Sequence, residues 1–188
     1  DLAELKTISE TISGTITLND YTVHLSGSTE HVKAALAGTF AAAYTGNVTL
    51  TDAHAVDIDA TDITTIEGDT NGTVTVSHDM DIHGTSAEVA AAVGHVDTFS
   101  GTPTVTLSDA HDLAELKTIS ETISGTITLH SYSEPLSGST EDVKAALAGT
   151  FGADYTGNVT LTDTADVVIQ ATDITTIEGD TNGTVTVS

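Results

Sequence analysis

The chain has 188 residues, of which 28 are acidic and four are lysine; it has no arginine and no cysteine, and its net charge is -24 at pH 7. That charge excludes nucleic acid phosphates and anionic membranes as partners and favours cationic counter-ions. Without cysteine there are no disulfides or thiolate metal sites, and no run approaches the ~20 apolar residues that membrane insertion needs.

From its first residue the chain is repetitive. Residues 1–77 reappear as 112–188, and 64 of the 77 aligned residues are identical. The expected organisation is a first tandem repeat over 1–111, with four rungs, and a partial second repeat over 112–188, with three, in one continuous elongated body. Most of the 13 differences lie in Asn19 to His24 against His130 to Pro135, and in Ala53 to Asp59 against Thr164 to Gln170. Turns tolerate change because few packed neighbours constrain them, so these windows are expected at exposed corners. The chain opens in mid-repeat without an initiator methionine. It is therefore expected to be a segment of a longer parent, or a product built from its repeat.

In chain order, the first β-like run is Gly14 to Leu18, followed by Asn47 to Leu50, Gly72 to Val76 and Thr104 to Leu107. The second copy adds runs from Thr126, Asn158 and Thr184. Alternation of Thr with Ile, Val or Leu has the period of a half-buried strand. Ile16, Leu18, Val48, Leu50, Val74, Val76, Val105, Leu107, Ile127, Leu129, Val159 and Leu161 are thus expected in the core. Counted from Thr15, Asn47, Thr73, Thr104 and Thr126, starts separated by 32, 26, 31 and 22 residues are too far apart for hairpins and predict parallel strands. The expected fold class is an α/β solenoid of about seven rungs.

Two connectors predict helices. Ser28-Thr29-Glu30 opens the run Val32 to Ala37, and Thr85 with Glu88 has capping-box spacing ahead of Val89 to Val93. The connectors at Ile63 to Ile66 and Leu113 to Ile119 are expected to be single turns or short 3₁₀ segments.

In plan, this strand-then-helix coil resembles a leucine-rich repeat, without that family's recurrent asparagine. A closer resemblance rests on Gly125-Thr126-Ile127-Thr128-Leu129, Leu136-Ser137-Gly138-Ser139, Val143 to Ala148 and Tyr155-Thr156-Gly157-Asn158-Val159-Thr160. In composition and layout these resemble the Thr, Asp, Ala and Gly-rich tandem repeats of very large, adhesin-like secreted or surface proteins of aquatic bacteria, cyanobacteria included. The resemblance implies an extracellular or cell-surface location. It carries over no functional residues.

Three sets of residues are candidates for chemistry. Outward Thr15, Thr17, Thr49, Thr73, Thr75, Thr104, Thr106, Thr126, Thr128, Thr160, Thr184 and Thr186 would form a hydroxyl ladder able to meet ice or a polysaccharide; high β propensity of Thr accounts for the same pattern. Glu67-x-Asp69-x-Asn71-Gly72, repeated as Glu178-x-Asp180-x-Asn182-Gly183, has the first half of a calcium-loop pattern, although His78 stands where its last Glu would be. A turn entering a strand accounts for it equally. In a strand, Asp79, Asp81 and His83 would share a face, and their mixed donors suit a transition metal; solvated corner residues are the alternative. Asp57-x-Asp59-x-x-Asp62 is not kept in the second copy, where Val168 and Gln170 stand.

No Gly-rich phosphate loop follows a strand and no Ser sits in a Gly-x-Ser-x-Gly turn, so no enzymatic activity is expected. The expected role is structural: a spacer, stalk, coat or filament element with adhesion as a further expectation, self-associating end to end or with neighbouring repeats.

Overall fold

A computed structural model describes residues 1–53 and 56–188. His54 and Ala55, inside the variable window Ala53 to Asp59, lie outside the described residues. In chain order the elements are α1 (Leu2–Thr11), β1 (Leu25–Gly27), α2 (Thr29–Leu36), β2 (Val48–Leu50), β3 (Asp57–Asp59), α3 (Ala60–Asp69), β4 (Val74–Val76), β5 (Asp81–Gly84), α4 (Ser86–His95) and β6 (Thr98–Phe99). They continue as β7 (Thr104–Leu107), α5 (Leu113–Thr122), β8 (Thr126–Thr128), β9 (Leu136–Gly138), α6 (Thr140–Leu147), β10 (Thr150–Phe151), β11 (Val159–Leu161), α7 (Ala171–Asp180) and β12 (Val185–Val187). The chain divides into two units: Asp1–Ile82 with His95–Pro103, and His83–Gly94 with Thr104–Ser188.

The expected stack of seven rungs is overturned. Among the described residues the fold is α/β with seven helices and three separate small parallel sheets: β1-β2-β4-β6, a five-stranded sheet of β3, β5, β7, β8 and β10, and β12-β11-β9. The cause is local. Six of the seven Thr-alternating runs form strands of only three or four residues, while Gly14 to Leu18 is reduced to one parallel bridge between Ile16 and Phe40. Six further strands without the alternation, such as Leu25–Gly27 and Thr98–Phe99, interleave with them. β3 and β5 fall between β2 and β6 in sequence yet join a different sheet, so continuity of the chain does not become continuity of one sheet.

Two connectors are also corrected. The segments around Ile63 and Leu116 are ten-residue α-helices, α3 and α5, not single turns. β-branched Thr is a poor helix former, and inside a helix its hydroxyl turns back to the carbonyl four residues earlier, so packing must hold the element. Here Thr64 Oγ1 donates to the Ala60 carbonyl at 3.0 Å and Thr65 Oγ1 to that of Thr61 at 2.7 Å. Ile63 and Ile66 are both fully buried, so the i,i+3 pair forms the packed face. α5 begins with a reciprocal cap in which Glu115 N donates to Asp112 Oδ1 at 2.9 Å and Asp112 N to Glu115 Oε2 at 3.1 Å. Asp1 and Glu4 repeat that cap on α1. The two predicted helices stand as α2, capped by Ser28, and α4, where Thr85 and Glu88 exchange bonds of 2.8 and 3.3 Å.

The core is aliphatic. Val74, Val76, Val105, Ile127 and Leu161 are fully buried, and of the twelve predicted core residues only Leu18 is half-buried instead. Glycines set the closest approaches. A Cβ on Gly157 would lie 1.9 Å from the Glu134 carbonyl oxygen, and one on Gly72 would lie 2.4 Å from that of Gly46. Those two backbone crossings admit only glycine.

Candidate functional site

Parallel pairing sets the threonines in short rows. Thr49 is in register with Thr75, Thr75 with Thr98, Thr106 with Thr128, and Thr160 with Thr186. The longest hydroxyl row, Ser26-Thr49-Thr75-Thr98, crosses the four strands of the first sheet. Thr15, Thr17, Thr73, Thr126, Thr128, Thr184 and Thr186 are exposed, whereas Thr49, Thr75, Thr104, Thr106 and Thr160 are half-buried. Thr49 Oγ1 lies 2.9 Å from His24 Nε2. Eight of the twelve residues of the predicted ladder are thus divided among three sheets, and Thr15, Thr17, Thr73 and Thr184 lie outside the named strands.

Glu67 and Asp69 lie on the last turn of α3, and Asn71 and Gly72 lead into β4. The turn is held by Thr70, whose hydroxyl donates to the Gly46 carbonyl at 2.8 Å and accepts from Gly72 N at 3.0 Å. The second copy repeats both bonds at Thr181, at 2.9 and 3.0 Å. Glu67 is unusual. Its Oε1 is buried without a hydrogen-bond partner, and burial, with the Asp97 charge as a second cause, pushes its carboxyl up to about 7. Burial also raises Asp69 and Asp180. Glu178, the counterpart of Glu67, is exposed. Among the described residues, no three His, Asp or Glu side chains stand together as a metal-binding group.

Asp79 accepts from Thr102 N at 2.5 Å and from the Thr102 hydroxyl at 3.1 Å, which anchors the turn at Gly101. Asp81 and His83 alternate along β5 with the buried Ile82, and His83 Nδ1 is buried without a partner.

Three arrangements escaped sequence reasoning. The first is a carboxylate cap delivered from 23 residues downstream to the start of a helix. Asp52 accepts from Thr29 N at 2.9 Å and the Thr29 hydroxyl at 2.5 Å, Asp109 from Ser86 N at 2.7 Å, and Asp163 from Thr140 N at 3.0 Å. A negative group there complements the positive helix end and satisfies an orphan N–H. Its signal was present, since each Asp closes a Thr-Leu-Thr-Asp or Thr-Leu-Ser-Asp run.

The second is a buried pair in the second unit. His111 Nε2 lies 3.1 Å from Tyr155 Oη, which donates to the Glu134 carbonyl at 2.6 Å. That hydroxyl has its proton committed, so His111 donates from Nε2 and its buried Nδ1 is left without a partner. Burial lowers the His111 imidazole below its ordinary value and raises the Tyr155 phenol. Beside Tyr44, the counterpart of Tyr155, Leu5, Ile8, Leu18 and Val23 help to line a cavity of about 200 Å³ in the first unit.

The third is a Thr-Phe pair laid parallel on an aliphatic strand. Thr98 and Phe99 align with Thr75 and Val76, and Thr150 and Phe151 align with Thr126 and Ile127. Phe40 makes the same contact on Ile16 as a single bridge. Two residues are too short for any periodicity to reveal.

All four lysines are ion-paired: Lys6 with Glu10 at 2.6 Å, Lys117 with Asp142 at 2.6 Å, Lys144 with Asp173 at 2.7 Å, and Lys33 with Asp62. No helix among the described residues is long and apolar enough to cross a membrane. In comparisons with known proteins, the chain matches no family model, no curated protein and no solved structure.

Proposed function

We propose that this chain is a non-catalytic structural repeat element, a spacer, stalk, coat or filament part of a secreted or cell-surface bacterial protein, which associates with neighbouring repeats. One observation carries the reading: three sets of residues that are identical between the copies make the same bonds in both. Thr70 and Thr181 hold the same turn, Asp52 and Asp163 cap the same helix, and Lys33 and Lys144 bridge to the same Asp. Of the acidic sets, Asp57 and Asp59 give way to Val168 and Gln170, while Glu67, Asp69 and Asn71 recur as Glu178, Asp180 and Asn182 at the same helix end and turn. A repeat constrained by its own assembly accounts for that division.

The rival is a hydroxyl surface for ice or polysaccharide, which rests on the row Ser26-Thr49-Thr75-Thr98. Ice-recrystallisation inhibition and a glycan array, run on the purified chain, separate the two. The structural role predicts no activity in either. Inhibition or glycan binding abolished by Thr75→Val would replace it with the rival.

A further inference from the structure

We propose that Asn71-Gly72 and Asn182-Gly183 are latent self-modification sites, each kept silent by the threonine hydroxyl beside it and released when its turn opens. Of the five asparagines only these two precede glycine. A glycine carries no side chain to block its own N–H, so that nitrogen can reach the side chain of the asparagine before it, a thermolabile residue. Nothing safer than glycine fits here: a Cβ on Gly72 would lie 2.4 Å from the Gly46 carbonyl oxygen, and one on Gly183 would lie 2.2 Å from that of Gly157. The fold instead engages the nucleophile. Gly72 N donates to Thr70 Oγ1 at 3.0 Å, and Gly183 N donates to Thr181 Oγ1 at 3.0 Å. The flanking amides are held as well. Asn71 N donates to the Tyr44 carbonyl at 2.8 Å and Thr73 N to Asn47 Oδ1 at 3.1 Å; Asn182 N and Thr184 N repeat these bonds at 2.8 and 3.0 Å, to Tyr155 and Asn158. Both threonines are buried, and both asparagines face water.

Opening the turn frees the Gly72 N–H from Thr70. Its nitrogen attacks Asn71 Cγ, a C–N bond forms, the nitrogen's proton passes to the departing side-chain amide, and ammonia leaves behind a cyclic succinimide. Water then opens the ring at either carbonyl. One direction gives aspartate; the other gives isoaspartate, in which the chain runs through the side-chain carbonyl. The net change consumes one water, releases one ammonia and creates one carboxylate, without oxidation or reduction. In the first unit that carboxylate follows the last turn of α3, which already carries Glu67 and Asp69 at the negative pole of the helix. Isoaspartate also lengthens the backbone that leads into β4, whose Val74 is in register with Val48. Either product hinders the turn from closing again, so each site records that its turn has opened. The chemistry is independent of the structural role proposed above.

The test is peptide mapping by mass spectrometry of the intact chain, incubated at mildly alkaline pH. Cleavage after glutamate separates the two sites, because Glu67 and Glu178 release the peptides 68–88 and 179–188. Residues 60–77 and 171–188 are identical, so the urea-unfolded chain should deamidate alike at both. The folded chain should react more slowly at both sites, by about tenfold or more, since only the locally opened fraction reacts. Thr70→Val should accelerate Asn71 by about tenfold and leave Asn182 unchanged, Thr181→Val should do the reverse, and Thr70→Ser should keep the parent rate. If Thr70→Val unfolds its unit, the parent chain decides alone. Amide exchange of Gly72 and deamidation of Asn71 should then rise together with temperature, because both require the same bond to break. A folded chain that deamidates as fast as the unfolded one overturns the proposal. So does a folded Thr70→Val variant that leaves Asn71 unchanged or speeds both sites alike, and so does a Gly72 amide that exchanges freely while Asn71 stays intact.

Discussion

Glu67→Gln should stabilise the protein, and only above mildly acidic pH. The folded chain holds this carboxyl's proton up to about pH 7, against an ordinary value of 4.5. The native state therefore binds the proton more tightly than the unfolded chain. Stability is fully present below pH 4.5 and is lost as pH rises through 7. At 1.36 kcal/mol per pH unit the gap corresponds to about 3 kcal/mol. Because Glu67 is only half-buried, solvent screening reduces that to ~1–2 kcal/mol. Glutamine cannot ionise, and it keeps the size of the side chain. Thermal melts at pH 8 should place Glu67→Gln about 3–6 °C above the parent, and melts at pH 4.5 should coincide. A difference that does not change with pH, or that has the opposite sign, would refute the claim that the Glu67 charge is penalised by burial beside Asp97.

Other outcomes follow from the same geometry. Gly157→Ala sets a Cβ against the Glu134 carbonyl and should cost about 3 kcal/mol or more by urea denaturation. Gly68→Ala meets nothing within 4 Å inside α3 and should stabilise by ~0.5–1 kcal/mol. His111 is kept neutral by burial, so the unfolded chain takes up its proton first as pH falls below the ordinary 6.5. That share of stability should fade through this window, and His111→Phe should remove the dependence while leaving the Tyr155 hydroxyl its bond to Glu134. Calcium and EDTA at constant ionic strength should give one melting temperature, since the Glu67, Asp69 and Asn71 positions serve a helix end and a turn. A melt that rises with calcium alone would support the metal reading instead. Simple salt should still stabilise, by screening repulsion among the 28 acidic residues.

The tandem repeat, the parallel strands and the aliphatic core were legible because identity at a fixed offset and period-two alternation are strong signals. Val74, Val105 and Leu161 are buried as that alternation requires. The helices at Ile63 and Leu116 were legible only as short turns: the first is a Thr-rich β-branched run of poor helix propensity, and the second is announced mainly by its Asp112-x-x-Glu115 cap. What holds them is a packed face, with Ile63, Ile66, Leu116 and Ile119 fully buried, while Thr hydroxyls bond carbonyls four residues back. The division into three sheets was illegible for another reason. It depends on two- and three-residue strands such as Thr98–Phe99 and Asp57–Asp59, whose partners are fixed by long-range packing. The same limit hid the covering strand β6, and with it the difference between β4 and β12.

The most direct test of an account in which the repeat is spent on its own assembly is native-state hydrogen exchange, resolved by residue, on the intact chain. β4 and β12 share the sequence Val-Thr-Val and differ in whether a Thr-Phe strand lies on them. The amides of Val74 and Val76 should be protected to near the global stability of their unit, while those of Val185 and Val187 should exchange by local opening. Equal protection of the two strands would contradict the account.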